Sequence, residues 1–273
     1  MSDSPAAGAG RLDVELVGRG LARSRNHAAS LIRDGRVTVD GRGVVKASAL
    51  VSAGQRIEVD ASDAYVSRAA HKLVGALDAF GVDPSGLVCL DAGASTGGFS
   101  QLLLERGAAL VVAVDVGHGQ LSPALEPEIR AGRLVSLEGV NVRELTGEAL
   151  AGSGAEAGIG LVVADLSFIS LTLVLPALTA SAPAAELVVL IKPQFEVGRG
   201  GVREGIVRDA GLRAEAIEGV LWAAHDAGLG VVGLMASPIV GTHGNSEYLA
   251  HLSPGRGGSP SEWSTRIAEL AGG

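Results

Sequence analysis

The segment Leu87-Val88-Cys89-Leu90-Asp91-Ala92-Gly93-Ala94-Ser95-Thr96-Gly97-Gly98-Phe99-Ser100 constrains the fold of this chain more than any other. An apolar run ends in an acid, passes through a glycine-rich turn and opens a helix at Gln101-Leu102-Leu103-Leu104-Glu105. Gly93, Gly97 and Gly98 let the backbone approach a ligand where a side chain would block it. A second apolar run, residues 109–114, ends in Asp115. This puts a second acid at a neighbouring strand tip, where it can accept hydrogen bonds from a ribose. A glycine turn with a ribose acid is the plan of a nucleotide-type site at the edge of a parallel sheet.

The dinucleotide pattern G-x-G-x-x-G seats a pyrophosphate on the helix N-terminus. Here Ser95 stands at the second glycine position, and Asp91 precedes the turn. An acid there repels a pyrophosphate but suits a ligand carrying an amine and a sulfonium. S-adenosylmethionine is therefore favoured over NAD. The candidate cofactor contacts are Asp91, Gly93, Ser95, Gly97, Gly98, Phe99 and Asp115, with Gly97, Gly98 and Phe99 at the methionine end. Asn141, just after the third strand, is the candidate neighbour of the adenine.

Strands at 87–91, 110–115, 133–138, 160–165, 186–192 and 230–236, with a last one near 247–252, alternate with helical segments. A helix at 67–80 precedes them, and residues 261–270 form a final short helix. Such alternation predicts an α/β, Rossmann-like domain over 67–270 with a mostly parallel sheet and helices on both faces. A chain of 273 residues that is 47% hydrophobic can bury the core this needs. Only the first ten residues and 253–261 read as disordered by composition. Residues 166–185 carry no charge, but Pro176, Pro183 and several hydroxyl residues interrupt them. They read as a loop and buried helix rather than a membrane span. Cys89 is the only cysteine and no signal pattern is visible, so a reducing, cytoplasmic location is expected.

The net charge of −8 is unevenly spread. Residues 1–60 carry nine basic and seven acidic groups, or +2; residues 61–273 carry thirteen and twenty-three, or −10. A basic patch on an acidic protein predicts a local anion-binding face. Residues 11–60 read as two short helices broken at Gly18–Gly20, with Ser24 capping the second, followed by strands near 35–41 and 55–59. Residues 61–66 are a linker. Arg11-Leu12-Asp13, Gly20-Leu21-Ala22-Arg23-Ser24-Arg25, Leu31-Ile32, Gly35-Arg36-Val37 and Val39-Asp40-Gly41 resemble the S4-type RNA-binding domain. The resemblance implies that Arg19, Arg23, Arg25 and Arg36 face RNA phosphates. Arginine forks suit phosphate, but this unit lacks an aromatic platform for stacking bases.

The chain holds nineteen arginines and only three lysines, Lys46, Lys72 and Lys192. Arginine does not lose its proton in a protein, whereas lysine can. Lys192 ends the strand 187–191, Asp165 ends the strand 160–165, Lys72 lies on the helix before the first strand, and Glu247 starts the last strand. Strand ends at the carboxyl edge line the ligand crevice of a doubly wound sheet.

Ser67-Arg68-x-x-His71-Lys72-Leu73, Asp91–Phe99, Ala164–Ser170, Lys192-Pro193-Gln194-Phe195-Glu196 and Gly244-Asn245-x-Glu247-Tyr248 closely resemble the TlyA family. This is a haemolysin A-like group of ribosomal RNA 2′-O-methyltransferases that join an S4 domain to an FtsJ-type domain. The resemblance implies a tetrad of Lys72, Asp165, Lys192 and Glu247, S-adenosylmethionine as donor, and cytidines of 16S and/or 23S rRNA, within ribosomal subunits, as targets. A lysine beside a second cation and shielded from water gives up its proton more readily, and Lys192 is assigned as the base. Asp165 would hold it, while Lys72 and Glu247 would position the ribose. No metal is needed, and the six histidines show no ligand spacing. The competing expectations are a non-catalytic ribosome-assembly factor and a membrane-active haemolysin.

Overall fold

In the computed structural model, residues 9–22, 25–33, 35–44, 46–59, 65–198, 202, 204–241 and 244–273 are described. Arg23, Ser24, the first eight residues and most of the linker lie outside them. The chain divides into two units, residues 1–68 and 69–273.

The first unit opens with strand β1 (Gly10–Arg11) and helix α1 (Leu12–Gly18), followed by α2 (Arg25–Arg33). Strands β2 (Val37–Val39), β3 (Arg42–Gly43), β4 (Leu50–Val51) and β5 (Ile57–Val59) complete it. β1 pairs antiparallel with β4, while β3, β2 and β5 form a second antiparallel sheet in that order. Leu12, Leu16, Ala28, Leu31, Ile32, Val37 and Val51 form its core. The helix pair follows from their spacing, since residues three and four apart share one face.

The second unit is built on a seven-stranded sheet. Helix α3 (Ala70–Phe80) leads into β6 (Val88–Ala92), α4 (Gly98–Glu105) and β7 (Leu110–Asp115). Then come α5 (Glu126–Arg130), β8 (Leu134–Glu138), β9 (Leu161–Ala164), α6 (Leu175–Ser181) and β10 (Glu186–Ile191). The short α7 (Pro193–Glu196), the long α8 (Ala210–Asp226), β11 (Gly230–Ala236), β12 (Tyr248–Ser253) and α9 (Ser264–Gly272) finish the unit. The strand order is β11-β12-β10-β9-β6-β7-β8. All pairings are parallel except the two made by β12.

Successive residues on a strand face opposite sides, and here both sides are buried. Leu90, Ala92, Val112, Val114, Val162, Leu187 and Val189 share one core with Leu175 of α6, Val220 and Leu221 of α8 and Ile267 of α9. The intervening Cys89, Val111, Ala113, Val163 and Val188 are also fully buried. On that side α3 and α4 contribute Leu73, Leu77, Leu102 and Leu103, and the Phe80 ring stands 5.6 Å from that of His251. Two-sided burial explains why these strands read as continuous apolar runs.

The uncharged stretch 166–185 forms a loop, a 3-10 turn and α6. Among the described residues no helix is long and apolar enough to cross a membrane. Residues 253–261, expected to be disordered, are ordered instead. Gly258 bridges to Val231, and Ser259 and Glu262 form a reciprocal capping box that starts the terminal helical segment.

Candidate functional site

Sheet topology gathers the acids and lysines at one edge. β6, β7, β9 and β10 run parallel, so Asp91, Asp115, Asp165 and Lys192 all lie at or just beyond their carboxyl ends. Glu247 reaches the same edge because β12 runs the opposite way. Tyr248 pairs with Ile191, which sets Glu247 beside Lys192 at the strand tips. Lys72 comes from the first turn of α3.

These four side chains form one chain of ion pairs. Lys72 Nζ donates to Glu247 Oε2 at 2.6 Å and lies 3.9 Å from Asp165 Oδ2. Lys192 Nζ is 2.5 Å from Asp165 Oδ1 and donates to Ser167 Oγ at 3.0 Å. Lys72, Lys192 and Glu247 are each more than nine-tenths buried. Burying charge is tolerated only when it is paired, and here two cations and two anions balance. Asp165 spans both lysines.

The glycine turn presses against this cluster. Gly93 has φ +86°, and a Cβ there would come within 2.8 Å of the Asp165 carbonyl oxygen. Ser95 and Gly97 also adopt positive φ, and Gly98 opens α4. Phe99 is 3% exposed and belongs to the core. Asp115 Oδ2 accepts from the Ser95 amide at 2.8 Å, and Oδ1 accepts from the Gly117 amide at 2.7 Å and from Gln120 Nε2 at 3.2 Å. The carboxylate is thus fixed at the strand tip.

Asp91 is fully buried. Its Oδ2 accepts from Ser100 Oγ at 2.6 Å, while among the described residues its Oδ1 has no hydrogen-bond partner. Burial pushes its carboxyl up to about 7, opposed by the Ser100 hydrogen bond and reinforced by the nearby Asp165 and Asp115 charges. An orphaned buried carboxylate oxygen costs free energy unless a donor reaches it. An ammonium would supply that donor and the missing positive charge. Asp91 and Asp115 thus place two carboxylates of different surroundings at neighbouring strand tips, one with an oxygen lacking a donor and one held by backbone amides.

Asn141 lies beyond β8, exposed, and its Oδ1 caps the 3-10 turn Val142–Glu144 through the Arg143 amide at 3.1 Å. Its side-chain NH₂ is not used by that cap. Among the described residues no group of three or more His, Cys, Asp or Glu side chains could hold a metal ion.

Sequence reasoning missed an aromatic pair beside the lysines. Phe168 is 89% exposed and has φ +69°. Its ring centroid lies 5.2 Å from that of Phe195, which in turn sits 5.9 Å from Lys192 Nζ. A non-glycine residue at positive φ stores strain, and such residues cluster at functional sites. Nothing in a sequence signals that backbone angle.

A family model for FtsJ-like methyltransferase matches residues 65–253, and one for the S4 domain matches residues 10–57. The chain is 52% identical over 246 residues, covering 89% of both chains, to the Mycobacterium tuberculosis protein named 16S/23S rRNA (cytidine-2′-O)-methyltransferase TlyA. The chain belongs to the TlyA family of FtsJ-like methyltransferases. Another relative, named Hemolysin A, of Brachyspira hyodysenteriae, is 39% identical over 89% of this chain and 99% of its own length. A solved structure of a hemolysin-named protein from Streptococcus thermophilus superposes with a TM-score of 0.73 at 35% identity, covering 98% of this chain and 96% of that one.

In this TlyA-family chain the arginines expected to face RNA are engaged within the S4 unit to different degrees. Arg19 is tied down: it donates to Glu15 Oε2 at 3.0 Å, to the Gln55 carbonyl at 2.7 Å and to the Ser52 carbonyl at 3.2 Å. Arg36 donates to the Val66 carbonyl at 3.2 Å. Arg25 pairs with Asp13 at 2.9 Å but keeps 62% of its side chain exposed. The Arg11 and Arg25 guanidiniums hold the Asp13 carboxyl at about 2. Arg25 is the most exposed of the three. Arg23 lies outside the described residues.

Proposed function

We propose that this protein methylates the ribose 2′-hydroxyl of a cytidine in ribosomal RNA, 16S and/or 23S, in the cytoplasm, with S-adenosylmethionine as donor. The Lys72–Asp165–Lys192–Glu247 cluster at the carboxyl edge carries this reading. The name of the M. tuberculosis relative supplies the nucleotide and the two RNAs. The S4 unit would hold the RNA, with Arg25 among its phosphate contacts.

When bound, S-adenosylmethionine supplies an electrophilic methyl group on a sulfonium. Asp91 Oδ1 would accept from its ammonium, Asp115 from its ribose hydroxyls, and the Gly93–Gly98 turn would run along it, with Asn141 toward the adenine. Phe168, backed by Phe195, would stack on the target base and hold its ribose over the lysines.

A 2′-hydroxyl is a poor nucleophile while protonated. Lys192 would take that proton as the oxygen accepts the methyl group and the carbon–sulfur bond breaks, leaving a neutral thioether. Lys72 lies between two carboxylates, Glu247 and Asp165, and would steady the developing oxyanion. Lys192 pairs with one carboxylate, Asp165, and with the Ser167 hydroxyl, and takes the base role in this reading. Positioning supplies much of the remaining rate, because the donor is already activated.

Replacing Lys192 separates base chemistry from charge. Lys192→Arg keeps the cation but cannot supply a base. It should be nearly as inactive as Lys192→Ala, about 10²–10⁴-fold below the parent, in a ribose-methylation assay on ribosomal subunits read by mass spectrometry. An arginine variant with near-parental turnover would refute the base assignment.

A further inference from the structure

Lys192 has two hydrogen-bond acceptors of different origin. Asp165 Oδ1 lies 2.5 Å from its Nζ and Ser167 Oγ lies 3.0 Å away. A neutral amine has two N–H bonds and one lone pair. If both N–H bonds are engaged by fixed acceptors, the lone pair can only point in the remaining tetrahedral direction. Asp165 alone would leave the lone pair two staggered positions about the Cε–Nζ bond. A second acceptor, Ser167 Oγ, selects one of them.

Ser167 is itself held in place. It lies on the short loop between β9 and the 3-10 turn that begins at Leu171. The far end of this loop is fastened to α7 by Glu196. That carboxylate accepts from Ser170 Oγ and, at 3.0 Å, from the Leu171 amide. Burial pushes the Glu196 carboxyl up, and the two hydrogen bonds oppose that rise. α7 follows directly on Lys192, so base and loop share one anchor. Phe168, next to Ser167, is held at φ +69°. A loop fastened at both ends across an unfavourable backbone angle can keep one hydroxyl in one place.

We propose that Ser167 is a positioning residue for the methyl-transfer reaction: its hydroxyl and Asp165 together aim the Lys192 lone pair at the substrate 2′-hydroxyl. This rests on the reading of Lys192 as the base. The charged groups around Lys192 Nζ are Asp165 from the β9 end, then Lys72 from α3 and Glu247 from β12, both reached through Asp165. Asp91 at the β6 end acts on Asp165. Ser167 is the uncharged member of the set, so removing it changes orientation without changing net charge.

The test is a single-turnover rate–pH profile for the full-length parent, Ser167→Ala and Ser167→Thr on ribosomal subunits. Donor and RNA affinities are measured in parallel. The parent rate should rise with pH to a plateau. Ser167→Ala should lower that plateau about tenfold, a part of the 10²–10⁴-fold that general-base catalysis typically supplies. Donor and RNA affinities should not change. Ser167→Thr, which keeps a hydroxyl at the same carbon, should recover most of the plateau. In a Lys192→Ala background, Ser167→Ala should have no further effect. A parent profile without a rising limb would overturn the base reading itself. A rising limb with Ser167→Ala matching the parent, or with Ser167→Thr as slow as Ser167→Ala, would overturn only the role of Ser167.

Discussion

Asp91→Asn should make the second unit more stable at alkaline pH and flatten the dependence of its stability on pH. The folded state holds this carboxyl at about 7, against 3.8 in an unfolded chain. Between those values the folded state binds a proton that the unfolded state does not, so stability falls as pH rises. Three pH units at about 1.36 kcal/mol each give a loss of about 4 kcal/mol by pH 8, relative to pH 4. Asparagine cannot ionise, so that loss is absent. For a unit of this size, 1 kcal/mol corresponds to about 2–4 °C in Tm. The parent-minus-variant difference in Tm should therefore change by about 10 °C between mildly acidic and alkaline buffer. Urea titrations at the same two pH values give the free energies directly. Saturating S-adenosylmethionine should restore the parent at alkaline pH and help Asp91→Asn much less, because the donor's ammonium supplies the missing charge to the carboxylate alone. Parallel stability–pH curves for parent and variant would show that Asp91 ionises normally, and the argument from its orphaned Oδ1 would fail with them.

Asp115→Ala should weaken donor binding about 10- to 100-fold by calorimetry with the fold intact, as expected for losing a hydrogen bond to a charged group worth roughly 1.5–3 kcal/mol; unchanged affinity would remove Asp115 from the donor site. Phe168→Ala should leave donor affinity alone and lower kcat/KM for RNA about 10-fold or more, the scale of one base–aromatic stack at roughly 1–3 kcal/mol. A variant with parental kcat/KM would leave Phe168 without a role in holding the base.

The parallel sheet was legible because its strands are buried on both faces and read as unbroken apolar runs: residues 110–115 and 230–236 have the same bounds in the structure. The three two-residue strands of the first unit were not legible, since Gly10–Arg11, Arg42–Gly43 and Leu50–Val51 are too short to show a period. The helix expected from residue 67 begins at Ala70, because residues 65–69 form a bend and turn.

What decides the site is the direction of β12. A parallel last strand would place Glu247, at its start, on the far edge of the sheet from Lys192. Running antiparallel beside β10, it delivers Glu247 to Lys72 at 2.6 Å. Residue periodicity is the same for both directions, so only the resemblance of the Gly-Asn-x-Glu-Tyr segment linked Glu247 to the lysines. Arg19 shows the converse. It reads as one more phosphate ligand in a basic stretch, yet its guanidinium is committed to carbonyls of Ser52 and Gln55, 33 and 36 residues away. Local composition reports the charge of a side chain but not whether a distant backbone has already claimed its donors. Ser167 falls under the same rule: a lone serine in a loop carries no signal. It gains a place in the chemistry because the β9 and β10 tips lie side by side in the sheet, bringing its hydroxyl to Lys192.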